Sequence, residues 1–192
     1  MSALYVVAVG YVAPDPLAWI AAAATEWFPF PVRRLPAIDV PPPAWDPARG
    51  QYQSVEIMKA LVRAAPSDAV RVLGLTECDL AIPLLTFLFG QALLDGMAAI
   101  VSLHRLRQEF YGLAPDEDVL RERLAKEMLH ELGHTFGLTH CPKPACAMSL
   151  ATHIEFVDAK SRGYCEPCAA HLARRFTNLE DPAKLYHSGE PQ

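Results

Sequence analysis

The stretch His130-Glu131-Leu132-Gly133-His134-Thr135-Phe136-Gly137-Leu138-Thr139-His140 closes a run with apolar residues at Val119, Leu120, Leu124, Met128, Leu129, Leu132 and Phe136. That spacing predicts a helix over residues 118–136, opened at Pro115-Asp116-Glu117. On such a helix His130 and His134 leave the same face about one turn apart. Two neutral imidazoles so placed can hold one zinc ion at about 2.0–2.1 Å. Glu131 can reach the open side of the metal without being a ligand, and there take a proton from water. Gly137 stands where a left-handed cap ends a helix. The chain then turns and can bring His140 to the same metal. Three histidines leave the fourth position to water, as in a catalytic zinc site. Two helical histidines are often ordinary core or surface groups; the added Gly137 and His140 argue against that reading.

Working outward, Cys141, Cys146, Cys165 and Cys168 form two close pairs, the second a CxxC. Pro142 and Pro144 stiffen the first. Such pairs read as an all-thiolate structural zinc. The rivals are two disulfides or a redox CxxC, but the thioredoxin-like pattern around a redox CxxC is absent. The fifth cysteine, Cys78, has no partner near it in sequence and reads as a small buried or half-buried residue.

HExxHxxGxxH followed soon by a methionine resembles the metzincin signature of zinc metallopeptidases. The cysteine directly after the third histidine, Cys146-Ala147-Met148 and the later CxxC resemble the archaemetzincins. Weaker echoes reach back to Asp46-Pro47-Ala48-Arg49-Gly50-Gln51-Tyr52 and to Phe87-Leu88-Phe89-Gly90. The resemblance implies that His130, His134 and His140 bind a catalytic zinc, with Glu131 as general base. It implies a second, structural zinc on the four cysteines, hence two Zn2+ per chain, and Met148 as the Met-turn residue beneath the metal. Cys141 stands where some metzincin groups have an acidic residue, and Leu150 where others have a tyrosine.

The implied fold is α/β and metzincin-like. It has a twisted, mixed, mostly parallel sheet of about five strands with one antiparallel edge strand, an active-site helix and a small zinc-stapled C-terminal subdomain. A single metallopeptidase domain is expected over residues 1–176, with subdomains of about 1–138 and 139–176, followed by a polar tail at 177–192.

The rest of the chain fits an α/β sandwich. Strands are expected at residues 3–9, 30–35, 70–76, 86–91 and 97–103. Helices are expected at 17–28, 54–65 and 166–176, the first capped by Asp15 ahead of Pro16. The proline-rich segment around Pro41-Pro42-Pro43 reads as a connector. By the metzincin resemblance, residues 86–91 form the edge strand rimming the cleft, with Gly90 admitting a peptide backbone. His104, His171 and His187 read as surface or capping groups, and His153 as a candidate contact in the cleft.

The 192 residues suffice for one domain with a core. Hydrophobic residues make up 52% and charged residues 20%, which excludes a disordered chain. A net charge of −5 without a basic cluster argues against a nucleic-acid partner. No apolar run reaches membrane-spanning length, and the apolar start lacks the positive region of a signal peptide. A cytoplasmic monomer is expected, in a compartment where thiols stay reduced. The leading functional expectation is hydrolysis of a peptide or protein substrate. The alternatives are a non-catalytic zinc-binding or interaction module and a zinc hydrolase of a non-peptide amide.

Overall fold

The computed structural model describes residues 2–180. In chain order the elements are β1 (Ala3–Val9), α1 (Pro14–Trp27), β2 (Val32–Arg34), β3 (Trp45–Asp46), β4 (Gln51–Gln53), α2 (Ser54–Ala64), β5 (Ala69–Thr76), β6 (Leu80–Ile82), β7 (Leu85–Leu88), β8 (Gly90–Ala92), β9 (Ala98–Ser102), α3 (Glu117–Thr135), α4 (Ile154–Ala159) and α5 (Glu166–Glu180).

All seven residues of β1 and all five of β9 are buried. A strand apolar on both faces needs a layer on each side. The alternation of β1 sorts its side chains accordingly. Leu4, Val6 and Ala8 join the core beneath α1 and α3, while Ala3, Tyr5, Val7 and Val9 join the core beneath α2. The main sheet runs β2-β1-β5-β9-β8, with every neighbouring pair parallel except β8 against β9. This is the expected mostly parallel sheet with one antiparallel edge. Among the described residues no helix is long and apolar enough to cross a membrane.

One aromatic cluster joins the C-terminal helix to this frame. Phe136 stacks on Phe28 and Phe30, at ring-centroid separations of 5.5 and 5.9 Å, and Phe176 of α5 meets Phe136 edge-on at 5.1 Å.

The structure departs from the sequence expectations at several places. A second sheet, β3-β4-β6-β7, is built from strands of two to four residues, too short to leave a periodic signal. Residues 86–91 are not one strand. Phe89 is buried in the core and breaks the run, so β7 belongs to the small sheet and β8 to the main one. Helix α1 starts at Pro14 with no side-chain cap, so Asp15 lies inside its first turn. The short helix α4 was not foreseen. Helix α5 continues past Phe176 to Glu180, so residues 177–180 are helical rather than tail; residues 181–192 and His187 lie outside the described residues.

Asp116 caps α3. Its Oδ1 accepts hydrogen bonds from the amides of Asp118 and Val119, each at 3.0 Å. Asp116→Ala is expected to cost about 1 kcal/mol, read as a lower urea midpoint with an unchanged slope.

Candidate metal centre and cleft

Helix α3 carries the site, and its C-terminal end is fixed by partners from three directions. The amides of Gly137 and Leu138 donate to His134 O (2.9 Å) and Gly133 O (3.0 Å), with Gly137 at φ +88°, which is a Schellman cap. Arg71 Nε on β5 donates to Thr135 O (3.0 Å), and the Asp95 amide in the β8–β9 turn donates to His134 O (2.9 Å). His171 on α5 lies 3.1 Å from Phe136 O through its Nε2, a capping role rather than a ligand role. These donors satisfy carbonyls that a helix end leaves orphaned. Burial lowers the Arg71 pKa to about 10.

The cap places the histidines. His130 Nδ1 donates to Ala147 O at 2.8 Å and His134 Nδ1 donates to Leu138 O at 2.7 Å. A carbonyl oxygen can only accept, so the proton sits on Nδ1 and each Nε2 presents a lone pair. The two Nε2 atoms are 3.1 Å apart. The His140 ring centroid lies 5.3 Å from that of His130 and 5.0 Å from that of His134. One nitrogen from each of the three lies within 4.8 Å of the others. Bonds of about 2.0–2.1 Å to a tetrahedral ion would set nitrogens about 3.3 Å apart, so the donor set fits a zinc ion. Burial first, and then the Lys160 ammonium, lowers the pKa of His130. Burial also lowers His134 and His140, which favours the neutral, ligating form.

Glu131 is 4% exposed. Burial, and then the neighbouring Glu127 carboxylate, pushes its pKa well above the usual range, while Lys160 opposes them. Glu127 and Lys160 form a buried ion pair at 2.9 Å. Sequence reading missed both residues. Glu127 sits four residues before Glu131 on the same helix, which could have signalled it; Lys160 arrives from α4 with no local signal.

A cleft of about 410 Å³ opens over these groups. Residues 85–92 form one wall, α3 the floor, and Leu150, Ala151 and Thr152 the far side. His153 is not among its lining residues. It is exposed at the start of α4, its ring 6.1 Å from Phe156. Gly90 lies against the site and lines the cleft, and it also gives Glu131 room. A Cβ there would stand 2.7 Å from Glu131 Cγ and Oε1 and from Ile100 O. Met148 packs against Gly133 from below, its Sδ filling the space a Cβ on Gly133 would need.

The four cysteines also converge, with all Sγ atoms within 4.8 Å of one another. Cys141 Sγ and Cys165 Sγ are 3.7 Å apart. That is far beyond the disulfide bond length of about 2.05 Å, and close to the roughly 3.8 Å that two thiolates on one tetrahedral zinc would show. The Cys168 amide, bonded to the Cys165 thiol, draws the Cys165 pKa down to about 7, while burial pushes Cys168 up. A cation bound among them would displace thiol protons. Cys78 is remote from this cluster and half-buried beside the α2 core.

An α/β sheet carrying a HExxH helix, a third histidine and a four-cysteine cluster defines the class of zinc metallopeptidases. The chain belongs to peptidase family M54, whose model matches residues 46–174, and its curated relatives are archaemetzincins. One relative is the archaemetzincin of Methanocaldococcus jannaschii, 46% identical over 141 residues, 73% of this chain and 76% of that protein. The crystal structure of archaemetzincin from Methanopyrus kandleri superposes with a TM-score of 0.80 at 36% identity, covering 92% of this chain and 96% of that one. A zinc-dependent peptidase from Methanocorpusculum labreanum gives a TM-score of 0.80 at 30% identity, covering 88% and 99%. The protein is therefore a hydrolase of the metallopeptidase class.

Gly90→Ala would overpack the contact between β8 and Glu131. It is expected to cost about 1–3 kcal/mol, measured by urea denaturation.

Proposed function

We propose that the protein hydrolyses peptide bonds at the His130, His134 and His140 centre, with Glu131 as general base and acid. The observation that carries this reading is the convergence of three imidazole nitrogens beside one buried carboxylate at the floor of an open cleft. Bound there, zinc would polarise a scissile carbonyl and acidify water.

The chain's own groups do the rest. The Ala147 and Leu138 carbonyls hold the His130 and His134 rings in the ligating tautomer. Glu131 takes a proton from water on a carboxylate oxygen and returns it to the leaving amine nitrogen. Burial raises its affinity for a proton, and a zinc ion bound beside it would lower that affinity again. The cleft wall formed by β7 and β8 receives an extended peptide through backbone hydrogen bonds. Met148 supports α3 at Gly133 from beneath.

The second zinc belongs to Cys141, Cys146, Cys165 and Cys168, a set that suits a reducing cytoplasm. It works as a clamp. Successive residues of an extended chain point to opposite sides, so His140 serves one ion and Cys141 the other. The Cys141 amide donates to Met148 O at 2.9 Å, which closes the loop between them. Residues 139–176 then form a subdomain stapled to the sheet and α3, with one chain the complete unit.

Two measurements test this reading. Glu131→Ala is expected to keep both ions and to lose about 10²–10⁴-fold in kcat on a quenched peptide library; loss of metal would make Glu131 a ligand instead, and unchanged turnover would leave the non-catalytic module as the reading. Brief chelation is expected to remove one zinc per chain and abolish turnover with the circular dichroism spectrum intact. Simultaneous loss of both ions with unfolding would overturn the division of roles.

A further inference from the structure

The wall strand β7 has little of its own to hold it in place. It is four residues long, among the described residues it pairs only with β6, and that register is interrupted between Leu80 and Ile82. A hairpin so short is marginal by itself.

The support comes from behind. Arg49 Nη1 donates to Ile82 O at 2.9 Å, and Nη2 donates to Leu85 O at 2.7 Å and Thr86 O at 2.9 Å. One guanidinium thus gathers three carbonyls of the β6–β7 turn. Its Nε donates to Gln51 Oε1 at 2.9 Å. Gln51, buried, donates through Nε2 to Thr86 O (3.0 Å) and Asp79 Oδ2 (2.8 Å). Asp79 in turn accepts two bonds from Arg105, at 2.7 and 2.8 Å. The Arg105 guanidinium lies 4.3 Å from the ring centroid of Phe87, inside β7. The wall is therefore tied at its turn by Arg49 and under its central ring by Arg105. The network also joins Phe87, in the second sequence echo, to Arg49 and Gln51 in the first, residues 46–52, to which the catalytic reading gives no role. No other side chain offers five donors in a rigid fork.

We propose that Arg49 is a positioning residue for the substrate. It sets the distance between β7 and α3, and so the width of the cleft into which an extended peptide fits. This rests on the peptidase reading of that cleft. Arg49 itself touches neither the histidines nor the reacting bond.

The experiment compares zinc-replete wild-type protein with Arg49→Met and Arg49→Lys. It measures kcat and KM on a quenched peptide, zinc content, and amide exchange by mass spectrometry. Arg49→Met is expected to raise KM by about tenfold with kcat within about twofold. Exchange should quicken at residues 85–88 and not in α3, with zinc content unchanged. Arg49→Lys keeps the charge but not the fork, and should fall between. If Arg49→Met does not fold, Arg49→Lys carries the same comparison. Unchanged exchange at residues 85–88, or quickened exchange without a change in KM, overturns the proposal, as does an equal fall in kcat from a general loss of structure. Wild-type protein that cleaves no peptide would defeat the peptidase reading instead. Arg49 is then judged by exchange and by the affinity of Glu131→Ala protein, with and without Arg49→Met, for an uncleaved fluorescent peptide.

Discussion

The metal-facing side of each helical histidine is decided on its far side. Two carbonyl oxygens, Ala147 O and Leu138 O, accept the Nδ1 protons of His130 and His134 and leave the Nε2 lone pairs facing one another. Neither carbonyl belongs to the helix. Leu138 follows the Gly137 cap, and Ala147 sits between Cys146 and Met148, its own amide donating to Gly163 O at 2.8 Å. The geometry of the histidine centre thus depends on how the loop after α3 is held. That loop is ordered by the cysteine cluster at one end and by the Schellman turn at the other. A displaced carbonyl would let an imidazole rotate or change tautomer, with no ligand residue altered.

Charge inside the protein is arranged around the same helix. Glu127 and Glu131 are successive carboxylates on one face of α3, both almost wholly buried. Two such charges held close without a cation would repel. The Lys160 ammonium, brought by the end of α4, bonds Glu127 at 2.9 Å and opposes its effect on Glu131. A buried ion pair of this kind is seldom worth more to stability than an apolar pair of the same volume. Its place against the cleft gives it an electrostatic use that an apolar pair would lack. The end of α4 is further tied to α3 by Arg123, which donates two bonds of 2.7 Å to Asp158, and by Lys126, which donates to Asp158 O at 2.9 Å.

Much of this was legible in the sequence because it is periodic or local. The buried strands β1, β5 and β9 announce themselves by runs dense in apolar residues, broken in β5 by Arg71, and α3 by helical spacing, an aspartate cap and a terminal glycine. The three histidines and four cysteines, which the structure gathers into two clusters, are read from spacing alone. What escaped is either short or remote. The strands of the small sheet are two to four residues long, so alternation has no room to show. The break at Phe89 depends on a core pocket that only the assembled sheet creates. Gly90 also makes room for Glu131, a contact 41 positions away in the chain that the sequence does not signal. Lys160 and Arg49 act on partners 33 to 37 residues distant, which no window reading can find. His153 shows the converse, a histidine near the site in sequence that is exposed and does not line the cleft.

The order of elements along the chain has a consequence for assembly. β9, the last strand of the main sheet in sequence, ends at Ser102, while the side chains of the histidine and cysteine clusters begin at His130 and finish at Cys168. The sheet joins segments more than sixty residues apart, as in the register of Leu4 with Arg71, so its closure is the slow, non-local part of folding. A ribosome makes all of that sheet before it makes either cluster. The histidines and thiols therefore emerge onto a scaffold whose strands are already available to receive α3. Any ion taken up by the clusters would be captured by a nearly finished body, and the growing chain is spared a long interval in which loose thiols and imidazoles could trap the wrong metal.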